Sequence, residues 1–302
     1  MIKKLSIIIS IILIVIIIIV GYLLKNKNER LIKKYFFPYT LISEQQQKIS
    51  QLQQKIFELK SSIYANIELN IKELNSDILI KKNIVNLSNN LTLKKYLLTS
   101  GFYYGINNVY PGSGYIDFYE NNIVVLSSRG VLAFSKSLDH NESFQQIKNN
   151  IGDFIGIKQF EKENWFSLKD IFILNNEVFI SYTEEIKEDC WNTSVIYGEM
   201  NYRNIKFEKI FSPKECLDYD AYTHTKFGTE FNAHQSGGKI ISFDDSHILL
   251  SVGDYRSRHL AQDSSSLNGK IIKININNGN HAIISMGHRN PQGIIFDKEN
   301  NF

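Results

Sequence analysis

The sequence predicts an all-β body of the β-propeller type, preceded by an apolar helix and a second helical segment. The main observation is a repeated pattern, in which an apolar run is followed by a turn of Asn or Asp and, in the first three copies, by a second apolar run. The copies are Ile116–Ser128, Asp170–Tyr182, Lys239–Gly253 and Gly293–Phe302. Asn and Asp tolerate turns with positive φ, so the first three copies predict β-hairpins.

Further strand-like runs extend the second and third hairpins to units of four strands. Ser194–Met200 and Ile205–Phe211 follow the second hairpin, and Lys270–Asn275 and His281–Ser285 follow the third. Recurring four-stranded units are typical of propeller blades. A β-sandwich would also contain many short strands, but it would not repeat one strand-turn-strand pattern. We therefore predict a partial propeller over 100–302, with about three blades present.

The fourth repeat, Gly293–Phe302, contains one apolar run and its turn residues. Three blades and a single strand do not close a ring, and an open sheet leaves unpaired strand edges. We therefore expect the sequence to be an amino-terminal fragment or the product of a truncated gene.

The amino-terminal region predicts a membrane anchor. Leu5–Leu24 is mostly isoleucine and contains no charged residue, and roughly 20 helical residues span the ~30 Å of bilayer hydrocarbon. A cleaved signal peptide is the alternative, but the apolar run is too long and no small-x-small cleavage site follows it. This divides the region into a cytoplasmic tip (1–4), a transmembrane anchor (5–24) and a linker (25–43).

Residues 44–95 are predicted to be a helical stalk or a packed helix. Apolar residues recur there at alternating steps of three and four, at Ile49, Leu52, Ile56, Leu59 and Ile63. This spacing is typical of a short heptad seam. Two interpretations stay open: a coiled coil over 49–63 that forms a homo-oligomer, and one amphipathic helix lying on the body.

Composition excludes some functions. The net charge is only +3, and the body has no stripe of Lys and Arg interleaved with aromatic residues, so nucleic acid is not an expected partner. Cys190 and Cys216 are the only cysteines; they flank one strand pair and could form a disulfide outside the cytoplasm. Their spacing is poor evidence for zinc, and the acidic loop from Asp218 to Glu230 is interpreted as solvated, so no metal site is predicted.

Two polar clusters directly precede the third and fourth repeats. The first contains His234 and Gln235, and the second contains Arg289 and Asn290. The first strand of each propeller blade lines the channel, so both clusters should lie near its mouth, where ligands usually bind. A neutral imidazole can accept a proton from a substrate hydroxyl, and a guanidinium can stabilise the developing negative charge. The pair suits oxidation of a sugar alcohol or hemiacetal by a cofactor that accepts hydride.

The alternative interpretation of each cluster is structural. A histidine before a Gly-Gly turn is often only a hydrogen-bonded loop residue. Asn290 followed by Pro291 is a common start of a turn, because proline restricts both its own φ and the residue before it.

Taken together and in order, these stretches resemble the glucose/sorbosone dehydrogenase family, which includes the soluble quinoprotein glucose dehydrogenases and the aldose sugar dehydrogenases. The matching phrases are Ala233–Phe243, Leu250–Asp254, Ala261–Asp263, Leu267–Ile274 and Gly287–Asp297. The resemblance is firm over 230–302 and faint over 100–229. It does not extend to the anchor or the helical segment.

The resemblance implies a six-bladed propeller that binds pyrroloquinoline quinone (PQQ) and oxidises aldose sugars at the C1 hydroxyl. His234 matches the general base, and Arg289 matches the arginine beside the quinone carbonyls, which makes these two the catalytic candidates. Asn290 matches a cofactor contact, and Gln235 is expected to shape the pocket. Ala233 departs from the pattern, because glucose dehydrogenases carry there an aspartate that supports the histidine. The family's Gly-Pro loop with calcium ligands is not present in this sequence.

The resemblance also implies a body in the periplasm, with a respiratory electron acceptor as a partner. Together with the predicted anchor at 5–24, this gives a single-pass protein of the bacterial inner membrane. The basic residues within 25–34 oppose this orientation, because positive charge favours the cytoplasmic side. The alternative function is a catalytically inactive propeller that binds carbohydrate or a protein partner.

Overall fold

The computed structural model describes residues 2–25, 37–40, 42–53, 55–56, 59, 77–88, 91–98, 114–135, 143–162, 166–219, 231–295 and 297. The chain divides into two compact units, Met1–Lys60 and Ser61–Phe302.

The first unit is helical where it is described. Helix α1 spans Ile2–Lys25, and residues 42–53, here called α2, are also helical. In the described part of the chain, no helix combines the length and apolar character needed to cross a membrane, so the anchor at 5–24 is not confirmed. The side chains of Ile49, Leu52 and Ile56 are exposed, and Ile63 lies outside the described residues. Both interpretations of the heptad seam stay predictions.

The helical prediction for 44–95 fails over its last part. Residues from Ile78 onward form three strands: β1 (Ile78–Leu79), β2 (Lys81–Asn86) and β3 (Thr92–Leu97). Strands β2 and β3 pair as an antiparallel hairpin, closed by a hydrogen bond from Leu87 N to Leu91 O of 2.8 Å. The β-branched pair Ile84 and Val85 favours a strand, and the Asn-rich stretch after it favours a turn.

The body contains three antiparallel sheets whose four principal strands follow one another in chain order. The first sheet contains β4 (Gly114–Tyr119), β5 (Asn122–Ser127), β6 (Leu132–Ser135) and β7 (Ser143–Gln146), with β1 beside β7. The second contains β9 (Leu168–Leu174), β10 (Glu177–Lys187), β11 (Cys190–Glu199) and β13 (Glu208–Phe211), with β14 (Leu217–Asp218) also pairing with β11. The third contains β15 (Gly237–Asp244), β16 (His247–Val252), β17 (Lys270–Asn275) and β18 (His281–Met286). The predicted hairpins and four-stranded units are therefore confirmed.

Short elements connect the first two sheets. Strand β8 (Lys148–Asn149) pairs in parallel with β12 (Asn204–Ile205), and helix α3 spans Ile157–Lys162.

Neighbouring sheets pack face to face through apolar side chains. Val124 and Leu126 of the first sheet share a core with Ile171 and Ile180 of the second. A separate core joins the second sheet to the third, with Phe179 and Val195 on one side and Ile240, Leu250 and Ile272 on the other. Face-to-face stacking of twisted four-stranded meanders is the arrangement of propeller blades.

A buried or partly buried carboxylate reinforces each of these two interfaces. The Asp117 carboxylate accepts from the Ile173 backbone N–H (2.6 Å), and the Asp170 carboxylate accepts from that of Ile240 (2.8 Å). Burial raises the pKa of both carboxyl groups. The first strand of one sheet is thereby tied to the first strand of the next, which brings these strands together on one side of the body.

The strand predicted from Gly293 is not formed by the residues the structure describes. Residues 293–295 and 297 have no strand conformation, and Ile295 is exposed. The local sequence is strand-like, but a strand requires a hydrogen-bonded neighbour. Among the described strands, none pairs with this segment.

Cys190 and Cys216 form a disulfide, with their Cα atoms 5.3 Å apart. The bond closes a loop with a sequence separation of 26, for which chain entropy predicts a stabilisation of about 3.5 kcal/mol. We expect Cys216→Ser to lower the free energy of unfolding by about this amount, measured by denaturant titration. Reductant should destabilise the unaltered protein to the same extent and leave the variant unchanged. An unaltered midpoint on reduction would contradict this account.

Candidate active site at the start of the third sheet

A short 3-10 turn before β15 positions His234 and Gln235. The turn spans Ala233–Gln235, and the Asn232 side chain caps it by accepting from the His234 backbone N–H at 3.0 Å. Gly237 and Gly238 follow with φ of +67° and +109°, a region that glycine adopts without strain. A Cβ at Gly238 would lie 2.2 Å from Lys169 Cβ. The two glycines therefore let the chain turn sharply into β15 while staying close to the second sheet.

Backbone hydrogen bonds hold the second cluster beside the first. The His288 N–H donates to Gly269 O (3.0 Å), and Arg289 O accepts from the Asp254 N–H (2.9 Å). The Ser251 hydroxyl donates to Pro291 O at 2.7 Å. The segment that carries Arg289 and Asn290 is thus fixed at the end of β16.

Asn290 links the two clusters. Its Oδ1 accepts from the Gly237 N–H (3.1 Å), and its Nδ2 donates to His234 O (3.2 Å). The two clusters therefore meet, as their positions before successive repeats predict. In this structure Asn290 positions the loop that carries His234, and its role as a cofactor contact stays a prediction.

A chain of polar contacts connects the three remaining site residues. Arg289 Nε donates to Gln235 Oε1 at 3.3 Å, and Gln235 Nε2 lies 3.4 Å from His234 Nε2. Because the guanidinium only donates, it orients the Gln235 amide with the oxygen toward Arg289 and the NH₂ group toward the histidine. The NH₂ group also only donates, so it favours the tautomer of His234 with a lone pair on Nε2.

The surroundings favour a neutral His234. Burial lowers the pKa of the imidazole below its ordinary value of 6.5, and the positive charges of Arg256, Arg289 and Lys169 lower it further. An uncharged imidazole is the form that a general base requires.

Sequence reasoning missed Lys169, Arg256 and Asp254 as site residues. Asp254 is almost fully buried, and burial raises the pKa of its carboxyl, opposed by the Arg256 N–H and the Arg289 charge. Asp254 and Arg256 directly follow β16, so the position of charged residues at a strand end could have identified them. Lys169 lies in β9 of the preceding sheet, and no local pattern connects it to His234.

Ala233, which departs from the pattern of the glucose dehydrogenases, is buried among aromatic rings. Its cluster includes Phe166, Trp191, Phe231 and Tyr255. A carboxylate at this position would be desolvated against apolar groups, which is costly without a partner. The arrangement shown here orients His234 through Gln235 and Arg289.

No group of three or more His, Cys, Asp or Glu side chains in the described part of the chain is placed to hold a metal ion. Asp218 is in β14, whereas Asp220, His224 and Glu230 of the acidic loop lie outside the described residues.

We expect Arg256→Gln to raise the pKa of the His234 imidazole, because it removes a positive charge that disfavours protonation. The measurement is a pH titration of the His234 ring by NMR. His288 is a suitable reference, since the positive charge that lowers its pKa comes from Lys270. A His234 titration unchanged by the substitution, or one that moves together with that of His288, would contradict the assignment.

Comparison with known proteins finds a similar family over part of the chain. The profile described as Glucose / Sorbosone dehydrogenase matches residues 166–302. The matched stretch contains both clusters, with His234 and Gln235 in the first and Arg289 and Asn290 in the second.

Several solved structures are similar to this chain. A glucose dehydrogenase has a TM-score of 0.48 and 18% identity, covering 63% of this chain and 60% of its own. The apo form of the soluble aldose sugar dehydrogenase from Escherichia coli has a TM-score of 0.46 and 18% identity, covering 63% and 55%. The PQQ-bound aldose sugar dehydrogenase from Streptomyces coelicolor has a TM-score of 0.43 and 15% identity, covering 63% and 59%. This chain therefore spans between 55% and 60% of these three structures. No curated protein sequence is significantly similar to it.

Proposed function

We propose that this chain provides the catalytic base and part of the cofactor site of a PQQ-dependent aldose dehydrogenase, an oxidoreductase that acts on the C1 hydroxyl of a sugar. The observation that carries the proposal is the contact chain from Arg289 through Gln235 to His234, which favours a neutral imidazole with its lone pair on Nε2. Its position within the stretch that matches the glucose/sorbosone dehydrogenase profile supports the same chemistry.

The charges around His234 fit an anionic cofactor. Lys169, Arg256 and Arg289 all act electrostatically on the imidazole, so positive charge is concentrated around this point of the body. Carboxylates are common partners of such side chains, and arginine can bind them with two hydrogen bonds. PQQ carries carboxylates and quinone oxygens, so Arg289 and Arg256 are the residues expected to hold it. When bound, the quinone supplies the two-electron acceptor for the hydride that leaves C1.

The protein's own side chains accept a proton from the sugar and stabilise the negative charge that develops on its oxygen. When the sugar binds, its C1 hydroxyl replaces the Gln235 NH₂ group as the donor to His234 Nε2, and this nitrogen accepts the hydroxyl proton. Arg289 stabilises the negative charge that develops on the oxygen in the transition state. Loss of this proton and of the hydride converts the cyclic aldose to its lactone. Gln235 keeps the imidazole oriented, and Asn290 holds the loop that carries it through the Gly237 N–H and His234 O.

The location of the protein belongs to the same proposal. The apolar, uncharged run Leu5–Leu24 of the sequence is the support for anchoring in the bacterial inner membrane. The disulfide between Cys190 and Cys216 supports a body in the periplasm, where disulfides persist. Electrons would then pass to a respiratory acceptor. Protection of the body from added protease in spheroplasts would contradict this orientation.

The direct test is PQQ binding by the full chain, measured by equilibrium dialysis, together with aldose-dependent reduction of a dye in the presence of PQQ. We expect the unaltered chain to bind PQQ and Arg289→Gln to bind it at least tenfold more weakly, because a charge-assisted hydrogen bond is worth about 1.5–3 kcal/mol. Lys187→Gln, in the second sheet, is the control for loss of one positive charge. Failure of the unaltered chain to bind PQQ would reject the proposal and favour a carbohydrate- or partner-binding module.

A further inference from the structure

The hairpin β2–β3 has an apolar tip whose side chains are exposed. Its aliphatic side chains are exposed by 63% at Ile84, 42% at Val85, 49% at Leu87, 62% at Leu91 and 47% at Leu93. No third strand of the described residues pairs with the two strands. A two-stranded sheet is marginally stable alone in water, and clustered exposed aliphatic residues usually mark a binding surface.

The base of the hairpin is firmly attached to the first sheet. Ile78 and Ile80 are buried against Val125, Val131 and Phe144, and β1 pairs with β7. Tyr96 and Leu98, at the same base but on the second strand of the hairpin, pack against the same cluster. The body therefore holds the base rigidly while the tip remains accessible.

Four lysines and no acidic residue lie within 78–98. The strand register places them on both faces of the hairpin, because Lys81 pairs opposite Leu97, Lys82 opposite Tyr96, Asn83 opposite Lys95 and Ile84 opposite Lys94. Side chains alternate between faces along a strand, so Lys81 and Lys95 share one face and Lys82 and Lys94 share the other. Positive charge thus surrounds the hairpin between its base and its tip.

The apolar residues also occupy both faces. Val85 and Leu93 form a cross-strand pair on the face of Lys81, whereas Ile84 lies on the face of Lys82, and Leu87 and Leu91 border the turn. The hairpin is therefore amphipathic along its length rather than across its two faces. A protein partner that covers one face would leave the other apolar face in water. A bilayer surface matches this order, because a layer of anionic headgroups lies directly above an apolar interior.

We infer that the β2–β3 hairpin docks the body onto a membrane surface that contains anionic phospholipid. The tip residues Val85, Leu87 and Leu91, which lie beyond the level of the lysines, enter the apolar region, and the lysine ammonium groups reach the lipid phosphates on their flexible side chains. Tyr96 lies opposite Lys82, whose Nζ is 5.6 Å from the ring centre, and it packs on the body, so it holds the base of the hairpin rather than entering the membrane. The inference depends neither on sugar oxidation nor on the anchor at 5–24.

The test places a fluorescent probe at the tip. The full chain with Leu87→Trp is mixed with, or reconstituted into, vesicles of phosphatidylcholine and phosphatidylglycerol that carry brominated acyl chains. We expect the fluorescence emission of the new tryptophan to shift to shorter wavelength and to be quenched by the bromine atoms. The signal of the unaltered chain, which contains two tryptophans, is subtracted first. The matched control is Phe118→Trp, at a residue of β4 that is 62% exposed, which should be neither shifted nor quenched.

A second variant tests the lysines. The combined substitution Lys81→Glu, Lys82→Glu, Lys94→Glu and Lys95→Glu should weaken insertion of the Leu87→Trp tip by about fivefold or more per lysine. High salt should also weaken insertion of the Leu87→Trp tip when all four lysines are present. Circular dichroism checks that each variant is folded. Unquenched Leu87→Trp in anionic vesicles would overturn the inference. So would a shifted emission without vesicles, because the tip would then be covered by another part of the chain or by a second copy.

Discussion

Replacing His234 with alanine is expected to reduce PQQ-dependent aldose oxidation by about 10²- to 10⁴-fold, the usual contribution of a positioned general base. Burial and nearby positive charges lower the pKa of the imidazole, and Gln235 orients the ring, so the substitution removes the acceptor proposed for the C1 hydroxyl proton. PQQ binding should persist, because Arg256 and Arg289 remain. The measurement is the rate of dye reduction with an aldose, in the complete enzyme if further chain is needed for turnover.

The control for this substitution is His247→Ala. His247 is the first residue of β16, directly after the turn of the third hairpin. Its ring bonds the exposed Asp244 carboxylate at 2.8 Å and also lies beside Asn275. Its loss should leave the rate unchanged. Retention of full activity by His234→Ala together with normal PQQ binding would remove the proton-transfer role from this histidine.

The pH dependence provides a second readout of the same role. Burial and neighbouring positive charges lower the pKa of His234 below 6.5, so the base stays unprotonated, and therefore competent, to a lower pH than a free imidazole would. The acid limb of the rate profile should lie below pH 6.5 in the unaltered protein and move upward in Arg256→Gln. An acid limb that does not respond to this substitution would indicate a different titrating group.

The β-sheets could be predicted from sequence because their turns carry the necessary information locally. Asn175 and Asn176 adopt positive φ between β9 and β10, and such turns identify a hairpin without knowledge of its neighbours. The hairpin at 81–97 was missed because spacing by three and four also fits its apolar residues. The spacing of the apolar residues fits both a helix and a strand pair there. The structure distinguishes the two, because Ile84 pairs with Lys94 on the neighbouring strand.

The site could be predicted only in part. His234 and Arg289 lie directly before repeats, so their proximity follows from the order of the sheets. Lys169 approaches His234 because β9 lies beside β15, and that proximity depends on how two sheets pack. The same limit explains the absence of a strand at 293–295, since a strand depends on a hydrogen-bonded neighbour as well as on its own sequence.

Gly253→Ala is expected to lower the free energy of unfolding by about 3 kcal/mol or more, because the new methyl group has no space. A Cβ at Gly253 would lie 1.9 Å from the carbonyl oxygen of Gln235 and 2.7 Å from Ser236 C. Both atoms belong to the backbone, which cannot rotate away as a side chain could. Gly156→Ala is the control, since its Cβ would approach no atom closer than 3.9 Å and should change stability by no more than about 0.5 kcal/mol.

The substitution should also disconnect the two clusters of the site. The Gly253 N–H donates to Ser236 O at 2.8 Å, and Gly253 O accepts from the Gly269 N–H at 3.1 Å. Gly269 O in turn accepts from the His288 N–H, so this one glycine lies between the loop of His234 and the loop of Arg289. Displacing the first loop exposes the imidazole and separates it from the guanidinium, and both changes return the pKa of His234 toward 6.5. A variant that loses stability but keeps the unaltered His234 titration would mean that the loop is held by Asn290 alone.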